Sequence, residues 1–579
     1  MKLSQPAGQG LPIHRRTRAV SLLVLILCIR AAGLGPARCE EFVIGRQGIA
    51  ATVHPIASTA AIQAMREGGN AIDAAVVAAL TLGVVDAHNS GIGGGCFMLI
   101  RLADHSIVAI DGREQAPAAA TRDMFIKKGE AQTSLSQTGP LAAGIPGSLA
   151  VYDHVLRAYG KLSLARHLDK AAQFAEEGFP INRTFAQRLA ATAKELTAFP
   201  SSKMILLKPN EEPFAAGEVL KQTDLARTYR AIAKNGIDWF YRGEFARLTG
   251  DWMQKNGGII TAADFEAYRM KSRQPILITY RGYQILGFPP PSSGGVHVAQ
   301  ILNILEQFNV HRMGPGSADF IHVVTEAMKL AFADRAHWLG DPAFASVPRG
   351  LVSKEYGRRL AGRIDMNRAL PVPAHDIPEE ATEHLFEKHT THFSTADDAG
   401  NWVACTATIN TSFGSKVIVP GTGVILNNQM DDFAIQPGVK NYFGLVGAEA
   451  NAIAPGKRPL SSMSPTLVLK DGRPVLSLGA AGGPTIISQT LLTILHVVDF
   501  GLPLSEALAQ TRFHHQWQPD ELRVERTITP RVRRELERRG HQLKIVDVIG
   551  ATQAVGFGTA RKVLIGATDP RGEGIPAGF

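Results

Sequence analysis

The stretch KHTTHFS, residues 388–394, lies where an acidic, proline-bearing segment gives way to sequence with strand character. The preceding residues 371–388 have no strong periodicity, which predicts an exposed loop that a protease or the chain itself could reach. Apolar and polar residues then alternate through residues 390–396, residues 397–401 supply turn formers, and residues 402–408 alternate again. This pattern predicts a β-hairpin.

The register of the predicted hairpin brings a polar cluster to one strand end. It places Thr390 opposite Ala407 or Thr408, with Asn410 nearby. Thr390 is then either an ordinary strand residue or a nucleophile. A threonine hydroxyl attacks poorly unless a base takes its proton. Cleavage of the peptide bond before Thr390 would free an α-amino group, with a reference pKa of about 7.7–8, to act as that base.

The composition is that of a folded globular chain. Of the 579 residues, 45% are hydrophobic and 20% are charged, and no long charged or Pro/Ser-rich linker divides the sequence. One large domain therefore remains possible despite the length. The body of the chain contains Cys96 and Cys405, which are too few for a disulfide framework.

The N-terminus has the pattern of an export signal. Three arginines within residues 15–18 precede an apolar run at residues 19–29, which is too short to span a bilayer. Small residues favour cleavage after Ala37, and the paired arginines leave twin-arginine export open. Residues 1–37 carry five positive and no negative side-chain charges, so their removal lowers the formal net charge from +9 to +4. We expect an exported protein, periplasmic or secreted, without a nucleic-acid-binding stripe.

The order of predicted elements indicates sheets layered between helices. Residues 52–85 predict two packed helices, with Asn70 as the N-cap of the second. The glycine run SGIGGG, residues 90–95, favours close backbone approach rather than phosphate binding, because a phosphate cradle needs strand, glycines and helix in that order. The remaining predictions are strands at 96–101, 106–111 and 276–288, helices through 144–270, from about 296 and through 334, about a hundred residues of strand and turn after residue 390, and helices near 486–511 and 530–540.

Three downstream segments bear on Thr390. They are NNQMDDF (427–433), KRPLSSMSPT (457–466) and GAAGGPT (479–485). With KHTTHFS before them in this order, the chain resembles the γ-glutamyltranspeptidase family. The resemblance extends over essentially the whole mature chain through DGREQAPAAATRDMF (111–125), SGIGGG, FPPPSSGG (288–295), LGDPAF (339–344) and FHHQWQPDELRVE (513–525).

The resemblance implies an α/β protein of the N-terminal nucleophile hydrolase class, an αββα sandwich with two stacked antiparallel sheets between helical layers. It implies one proenzyme that is cut between His389 and Thr390. The large subunit would be about residues 38–389 and the small, catalytic subunit residues 390–579, held together as a heterodimer. No cofactor and no metal ion are implied.

The same resemblance implies a γ-glutamyl amide substrate, such as glutathione, and roles for ten residues. Thr390 would form the acyl-enzyme, which passes to water or to an amino-acid or peptide acceptor. The backbone N–H groups of Gly482 and Gly483 would bind the oxyanion, and Thr408 would hold the Thr390 amine or hydroxyl. The residues that would bind the zwitterionic head are Arg113, Ser461 and Ser462 for the α-carboxylate, and Asp432, Gln429 and Asn410 for the α-ammonium.

Three positions depart from the family pattern. The lid, about residues 434–450, carries Phe443, with Tyr442 beside it, where the family commonly has a tyrosine that bonds to the asparagine at the Asn410 position. The oxyanion stretch is GAAGG rather than GSPGG, and Gly112 precedes the arginine. The lid is therefore expected to close less firmly, which affects the balance between hydrolysis and transfer.

Three alternatives remain. A glutaryl or cephalosporin acylase of the same fold would favour a serine nucleophile and lack the amino-acid clamp. A binding protein could keep the clamp and never mature. A metallohydrolase could use His389, His392, His514 and His515, although adjacent histidines point to opposite faces of a strand and no acidic ligand motif accompanies them.

Overall fold

Two antiparallel sheets lie at the centre of the computed structural model, which describes Met1 and residues 42–378, 392–558 and 562–579. His389, Thr390 and, apart from Met1, the predicted signal sequence lie outside the described residues. Sheet A contains, in spatial order, Phe42–Gly45, Val563–Thr568, Ala551–Gly558, Arg473–Ala481, Thr466–Lys470, Tyr283–Gly287 and Ile276–Tyr280. Sheet B contains Ala577–Gly578, Gly48–Ala51, His392–Asp397, Trp402–Thr408, Gly95–Arg101, Ile107–Gly112 and Lys271–Arg273.

The hairpin predicted after residue 390 occupies the middle of sheet B. Its strands His392–Asp397 and Trp402–Thr408 pair antiparallel, with Ala396 opposite Trp402 and His392 opposite Thr406. This is the register that the sequence predicts. It places Thr408 at the strand end on the side from which the chain enters the hairpin.

Alternate residues of the strand Trp402–Thr408 face two different cores, as the strand period of two requires. Trp402 and Ala404 lie in an apolar cluster between the sheets, together with Phe97 and Phe288, whose rings stack at 4.3 Å. The intervening residues Val403, Cys405 and Ala407 lie in the core on the helical side of sheet B. The strand is buried on both faces, which explains its lack of exposed polar side chains.

Helices cover the outer face of each sheet and complete the predicted αββα sandwich. Pro55–Arg66, Ala71–Val85 and Ser148–Tyr159 pack on sheet B, and Ser293–Leu305 and Thr485–Val498 pack on sheet A. The Asn70 side chain caps Ala71–Val85 by accepting from the N–H groups of Ile72 and Asp73, as predicted. No helix within the described residues is both long and apolar enough to cross a bilayer.

The other described helices and strands surround this sandwich. The α-helices are Thr133–Gln137, Leu164–Glu177, Arg183–Leu196, Pro200–Leu206, Thr223–Asn235, Asp238–Tyr241, Glu244–Lys255, Ala262–Ala267, Val310–Met313, Ala318–Trp338, Lys354–Ala361, Leu504–Ala509 and Pro530–Arg538. The short strands are Phe513–His514, Leu522–Glu525 and Leu543–Val546 in one sheet, and the pairs Ile126–Lys127 with Glu130–Ala131 and Phe179–Pro180 with Val219–Leu220.

Two predicted boundaries are corrected by the structure. Residues 276–288 form two paired strands rather than one, because Arg281 and Gly282 adopt positive φ angles of 48° and 78° and reverse the chain. The helix expected from about Val296 begins at Ser293. Its start is set by the Ser292 hydroxyl, which accepts a hydrogen bond from the Gly294 N–H at 3.2 Å.

The glycine run at residues 90–95 packs closely against the end of the hairpin strand Trp402–Thr408. A Cβ atom at Gly94 would lie 1.8 Å from the Thr408 carbonyl oxygen, and one at Gly93 would lie 2.0 Å from the Ile425 carbonyl oxygen. Both positions therefore admit only glycine. The run has the close backbone contacts that the sequence predicts, and it fixes the position of Thr408.

Candidate active site

A cavity of about 260 Å³ opens where strand ends and loops of both sheets meet. Seven of the ten sequence-predicted site residues line it: Thr408, Asn410, Gln429, Asp432, Ser462, Gly482 and Gly483. Arg113 and Ser461 do not line it, and Thr390 lies outside the described residues. The tertiary structure therefore brings together residues separated by more than seventy positions in the sequence.

Thr408 ends its strand with its hydroxyl directed to the next turn. Its Oγ1 accepts a hydrogen bond from the Asn410 N–H at 2.7 Å. Asn410 has a φ of 80°, a conformation that asparagine tolerates better than most residues, and its side-chain amide donates to the Asn428 carbonyl at 3.0 Å. The turn after the strand is thus rigid and keeps both side chains at the cavity wall.

The glycine pair lies between the strand Arg473–Ala481 and the helix Thr485–Val498. Gly482 and Gly483 have φ angles of 129° and 60°. Neither backbone N–H has an acceptor within the described part of the chain. Two free N–H donors ahead of a helix N-terminus form a positive site suited to an anionic oxygen.

The Phe443 ring covers this glycine pair. A Cβ atom at Gly483 would lie 2.5 Å from Phe443 Cδ1, so the ring and the glycine are in direct contact. The Phe443 backbone is held at both ends, since its N–H donates to Asn441 Oδ1 at 3.1 Å and its carbonyl accepts from Gln516 Nε2 at 3.3 Å. The neighbouring Tyr442 is largely exposed. Phenylalanine lacks the hydroxyl that would bond to Asn410, but it still closes the wall by packing.

Three ionisable groups form a buried cluster behind the cavity. Arg113 Nη2 lies 2.8 Å from Asp432 Oδ2, and Nη1 lies 2.9 Å from Glu114 Oε2. Arg113 is fully buried, and its Nε–H also donates to the Pro459 carbonyl. Burial raises the pKa of Glu114 to about 7, a rise that the nearby Arg113 opposes and the Asp432 charge reinforces. Arg113 therefore orients Asp432 towards the cavity.

Several buried polar atoms at the site have no hydrogen-bond partner among the described residues. They are Gln429 Oε1 and Nε2, Ser461 Oγ and Glu114 Oε1. Most buried polar groups in proteins are paired, and leaving one unpaired typically costs about 1–3 kcal/mol. Of these residues Gln429 lines the cavity, so its side-chain amide is available to a polar ligand there.

The sequence predictions omitted several residues that line the cavity, among them Arg335, Asn89 and Arg188. Arg335 comes from the helix Ala318–Trp338, while Asn89 and Arg188 come from the helical side of sheet B. Arg335 is almost completely buried. Its helix also buries Glu326, Lys329 and Asp334, so the sequence carries no signal that sets Arg335 apart.

The described histidines of the metallohydrolase alternative form hydrogen bonds to other groups of the protein. The ring nitrogens of His392 lie 3.2 Å from Thr406 Oγ1 and 2.7 Å from Ser394 Oγ. Those of His514 lie 3.0 Å from Ser488 Oγ and 3.2 Å from Gln516 Oε1. His389 lies outside the described residues. These contacts give His392 and His514 structural roles.

Comparison with known proteins agrees with the fold and identifies the family. A family profile described as "Gamma-glutamyltranspeptidase" matches residues 57–579. The glutathione hydrolase proenzyme of Escherichia coli (strain K12) is 43% identical over 585 residues, which span 98% of this chain and 100% of that protein.

Two solved structures resemble the chain in three dimensions. The cephalosporin acylase from Bacillus halodurans has a TM-score of 0.84 at 29% identity, with 94% of this chain and 98% of that chain covered. The Helicobacter pylori γ-glutamyltranspeptidase has a TM-score of 0.55 at 39% identity, with 58% of this chain and 95% of that chain covered. The chain belongs to the γ-glutamyltranspeptidase family of N-terminal nucleophile hydrolases, enzymes that transfer and hydrolyse γ-glutamyl groups.

Proposed function

We propose that the enzyme cleaves γ-glutamyl amides such as glutathione through an acyl-enzyme on Thr390. The Thr390 hydroxyl attacks the γ-carbonyl carbon while the free α-amino group of the same residue takes the hydroxyl proton. That proton passes to the leaving amine as the carbon–nitrogen bond breaks. Water, or the amine of an amino acid or peptide, then attacks the ester, releases the γ-glutamyl group and restores the Thr390 hydroxyl.

Maturation supplies the nucleophile in this proposal. A cut between His389 and Thr390 gives a large subunit of residues 38–389 and a small subunit of residues 390–579. Support comes from the Escherichia coli relative, which is named a proenzyme. The fragments stay together as a heterodimer, because each central sheet contains strands from both before and after the cut.

The hairpin register supports the proposed partnership of Thr390 and Thr408. Thr406 pairs with His392. Thr408 follows Thr406 by two residues, and Thr390 precedes His392 by two residues. The described register, continued by these two residues on each strand, is the basis for proposing Thr408 as the partner of the nucleophile. Its hydroxyl then holds the Thr390 amine or hydroxyl in place.

The cavity supplies matching groups for a zwitterionic amino-acid head. Asp432 binds the α-ammonium, assisted by Gln429, whose side-chain amide lacks partners among the described residues, and by Asn410. Ser461 and Ser462 bind the α-carboxylate, with Arg113 expected from the family pattern to pair with it. Both charges of the head need partners because an unpaired charge in a cavity is costly.

The oxyanion of the tetrahedral intermediate is stabilised by the N–H groups of Gly482 and Gly483. Support comes from the absence of any other acceptor for these donors within the described chain. Loss of one such donor typically costs on the order of 3 kcal/mol of transition-state stabilisation.

The leaving group has room in an adjoining groove of about 590 Å³. The groove shares Asn89, Arg188 and Gly482 with the cavity, so it continues on the far side of the oxyanion site. Arg188 is exposed and makes no ion pair within the described residues. We infer that Arg188 faces the carboxylate at the end of a dipeptide leaving group or acceptor.

Export to the periplasm or the medium belongs to the same proposal. Residues 1–37 carry a basic segment, an apolar run and small residues in the order of a signal sequence. Cleavage after residue 37 leaves the large subunit to begin at residue 38.

The observation that carries the proposal is the convergence of Thr408, the Gly482–Gly483 donors and the Asp432 carboxylate on one cavity. The test compares wild type with Thr390→Ala and, as a matched control, Thr391→Ala. Wild type and Thr391→Ala should give two fragments on a denaturing gel, the second beginning with Thr390, and should hydrolyse a γ-glutamyl anilide. Thr390→Ala should give one uncut chain without turnover. Hydrolysis by uncut wild-type protein would refute the proposal.

The same assay distinguishes the proposed function from the acylase alternative. A glutaryl anilide differs from the γ-glutamyl anilide by the absence of the α-ammonium. We expect the γ-glutamyl donor to have the higher kcat/KM because Asp432 lies at the cavity wall. A higher kcat/KM for the glutaryl donor would favour an acylase instead.

A further inference from the structure

A buried carboxylate, Asp86, lies in the wall of the groove that adjoins the cavity. Asp86 follows the helix Ala71–Val85 as its C-cap residue and is 5% exposed. It lines the groove of about 590 Å³ together with Asn89, Arg188 and Gly482. Neither the binding of the γ-glutamyl head nor the oxyanion site uses this carboxylate. An acid without an assigned role therefore faces the space beside the reacting carbonyl group.

The groups that contact the Asp86 carboxylate are neutral. Asn89 Nδ2 donates to both carboxylate oxygens, at 3.2 Å each, and His88 Nε2 lies 3.3 Å from Oδ1. Burial lowers the pKa of His88 to about 3, so its ring carries no charge at neutral pH. Within the described residues, no lysine or arginine forms an ion pair with Asp86. The carboxylate therefore has hydrogen bonds but no cation in contact with it.

The electrostatic environment of Asp86 favours a cationic ligand. Burial raises the pKa of Asp86 to about 7, a rise that the hydrogen bond from Asn89 and the positive charge of Arg188 oppose. A buried carboxylate is costly to ionise without a paired cation. A cation placed in the groove would stabilise the ionised form. A carboxyl group with a pKa near 7 is also suited to take a proton from an amine at neutral pH.

The reaction brings such a cation to the groove. The groove shares Asn89, Arg188 and Gly482 with the cavity. Attack of an acceptor amine on the acyl-enzyme reverses the cleavage of the amide bond, so the acceptor enters where the leaving amine departs. An α-amino group has a pKa of about 7.7–8 and is mostly protonated at neutral pH. Because an ammonium group has no lone pair, it must lose a proton before it attacks.

We propose that Asp86 binds the ammonium group of an amino-acid or peptide acceptor and takes one of its protons, while Arg188 faces the acceptor carboxylate. This assignment rests on the proposed function. The free amine attacks the carbonyl carbon of the Thr390 ester; the new carbon–nitrogen bond forms and the carbon–oxygen bond to Thr390 breaks. A second proton passes from the nitrogen through the Thr390 amino group to the departing Thr390 oxygen, and Asp86 releases its proton to water. Asp86 thus promotes transfer to zwitterionic amines over hydrolysis.

The test measures the ratio of transfer to hydrolysis for matured Asp86→Asn at pH 7, with a γ-glutamyl anilide as donor. Two acceptors are compared: glycylglycine, which is an ammonium ion at this pH, and hydroxylamine, which is largely uncharged. Without Asp86 only the unprotonated tenth or so of glycylglycine can react, so its ratio should fall about tenfold. The ratio with hydroxylamine should change less than about twofold, because this acceptor needs no base. Asp251→Asn, at an exposed helix position, is the control and should change neither ratio.

A second measurement uses the wild-type enzyme alone and so does not depend on the folding of a variant. Propionylglycine differs from glycylglycine by a methyl group in place of the ammonium. Its inhibition constant against transfer should exceed the KM of glycylglycine about tenfold or more, because it cannot pair with Asp86. An inhibition constant equal to that KM, an unchanged ratio in Asp86→Asn, or equal losses with both acceptors would overturn the inference. A wild-type enzyme that does not hydrolyse the anilide would instead count against the proposed function.

Discussion

Replacement of Gly483 by alanine tests the proposed oxyanion site through its packing. Gly483 has a φ of 60°, which costs an L-residue roughly 1–2 kcal/mol. The new Cβ would lie 2.5 and 2.8 Å from two carbon atoms of the Phe443 ring, where an ordinary contact needs 3.4 Å or more. One of the two groups must therefore move by about 1 Å.

The structure indicates that the loop with Gly483 must move, because movement of the Phe443 ring alone cannot relieve the overlap. Phe443 is held by hydrogen bonds at its N–H and its carbonyl, and its ring packs against the core on the sheet A side. A displacement of about 1 Å in a catalytic group costs on the order of 100-fold in rate. We therefore expect kcat of matured Gly483→Ala to fall roughly 100-fold. Overpacking should also lower stability by about 1–3 kcal/mol.

Turnover of a γ-glutamyl anilide, normalised to the matured fraction on a denaturing gel, gives kcat for each variant. Gly438→Ala is the matched control, because Gly438 has a φ of 79° and nothing within 4 Å of its Cβ position. It should keep kcat within threefold. Adding Phe443→Ala to Gly483→Ala should recover at least tenfold of the lost rate. The reasoning fails if Gly483→Ala keeps wild-type kcat, or if removal of the ring recovers nothing.

Two further predictions concern a buried acid and the outer groove. Burial raises the pKa of Glu114 from 4.5 to about 7, so its contribution to stability is fully present below pH 4.5 and is lost as the pH rises through about 7. Relative to Glu114→Gln, which stays neutral, the wild type should lose roughly 2–3 kcal/mol of unfolding free energy between pH 5 and pH 8, measured by urea denaturation. Arg188→Gln should lower kcat/KM for glutathione about tenfold and leave that for a neutral γ-glutamyl anilide unchanged, because only glutathione has a carboxylate on its leaving group.

Each of these two predictions has a result that would contradict it. A difference between wild type and Glu114→Gln that stays constant from pH 5 to pH 8 would show that Glu114 does not titrate in this range. For the groove, Arg183→Gln on the same helix is the control, since Arg183 is exposed and does not line the groove. Equal losses on glutathione and on the anilide, or equal effects of both arginine variants, would remove Arg188 from the leaving-group site.

Local structure could be predicted wherever neighbouring residues determine it. The Asn70 cap, the pair of helices around it and the hairpin register at His392 and Thr406 follow from hydrogen-bonding side chains, periodicity and turn length, which all act over a few residues. The Arg281–Gly282 turn was missed because the apolar residues on both sides continue the same pattern.

The amino-acid sequence by itself determined the family and the fold class, because these depend on motifs whose residues lie close together in the chain, whereas the roles of the ten site residues stay predictions. Only the tertiary structure decided how their charges combine. The pairing of Arg113 with Asp432, the presence of Arg335 at the same cavity and the contact of Phe443 with Gly483 each join residues far apart in sequence. Coulombic and packing energies depend on distance in space, so no spacing along the chain could have specified which of these side chains meet in the folded protein.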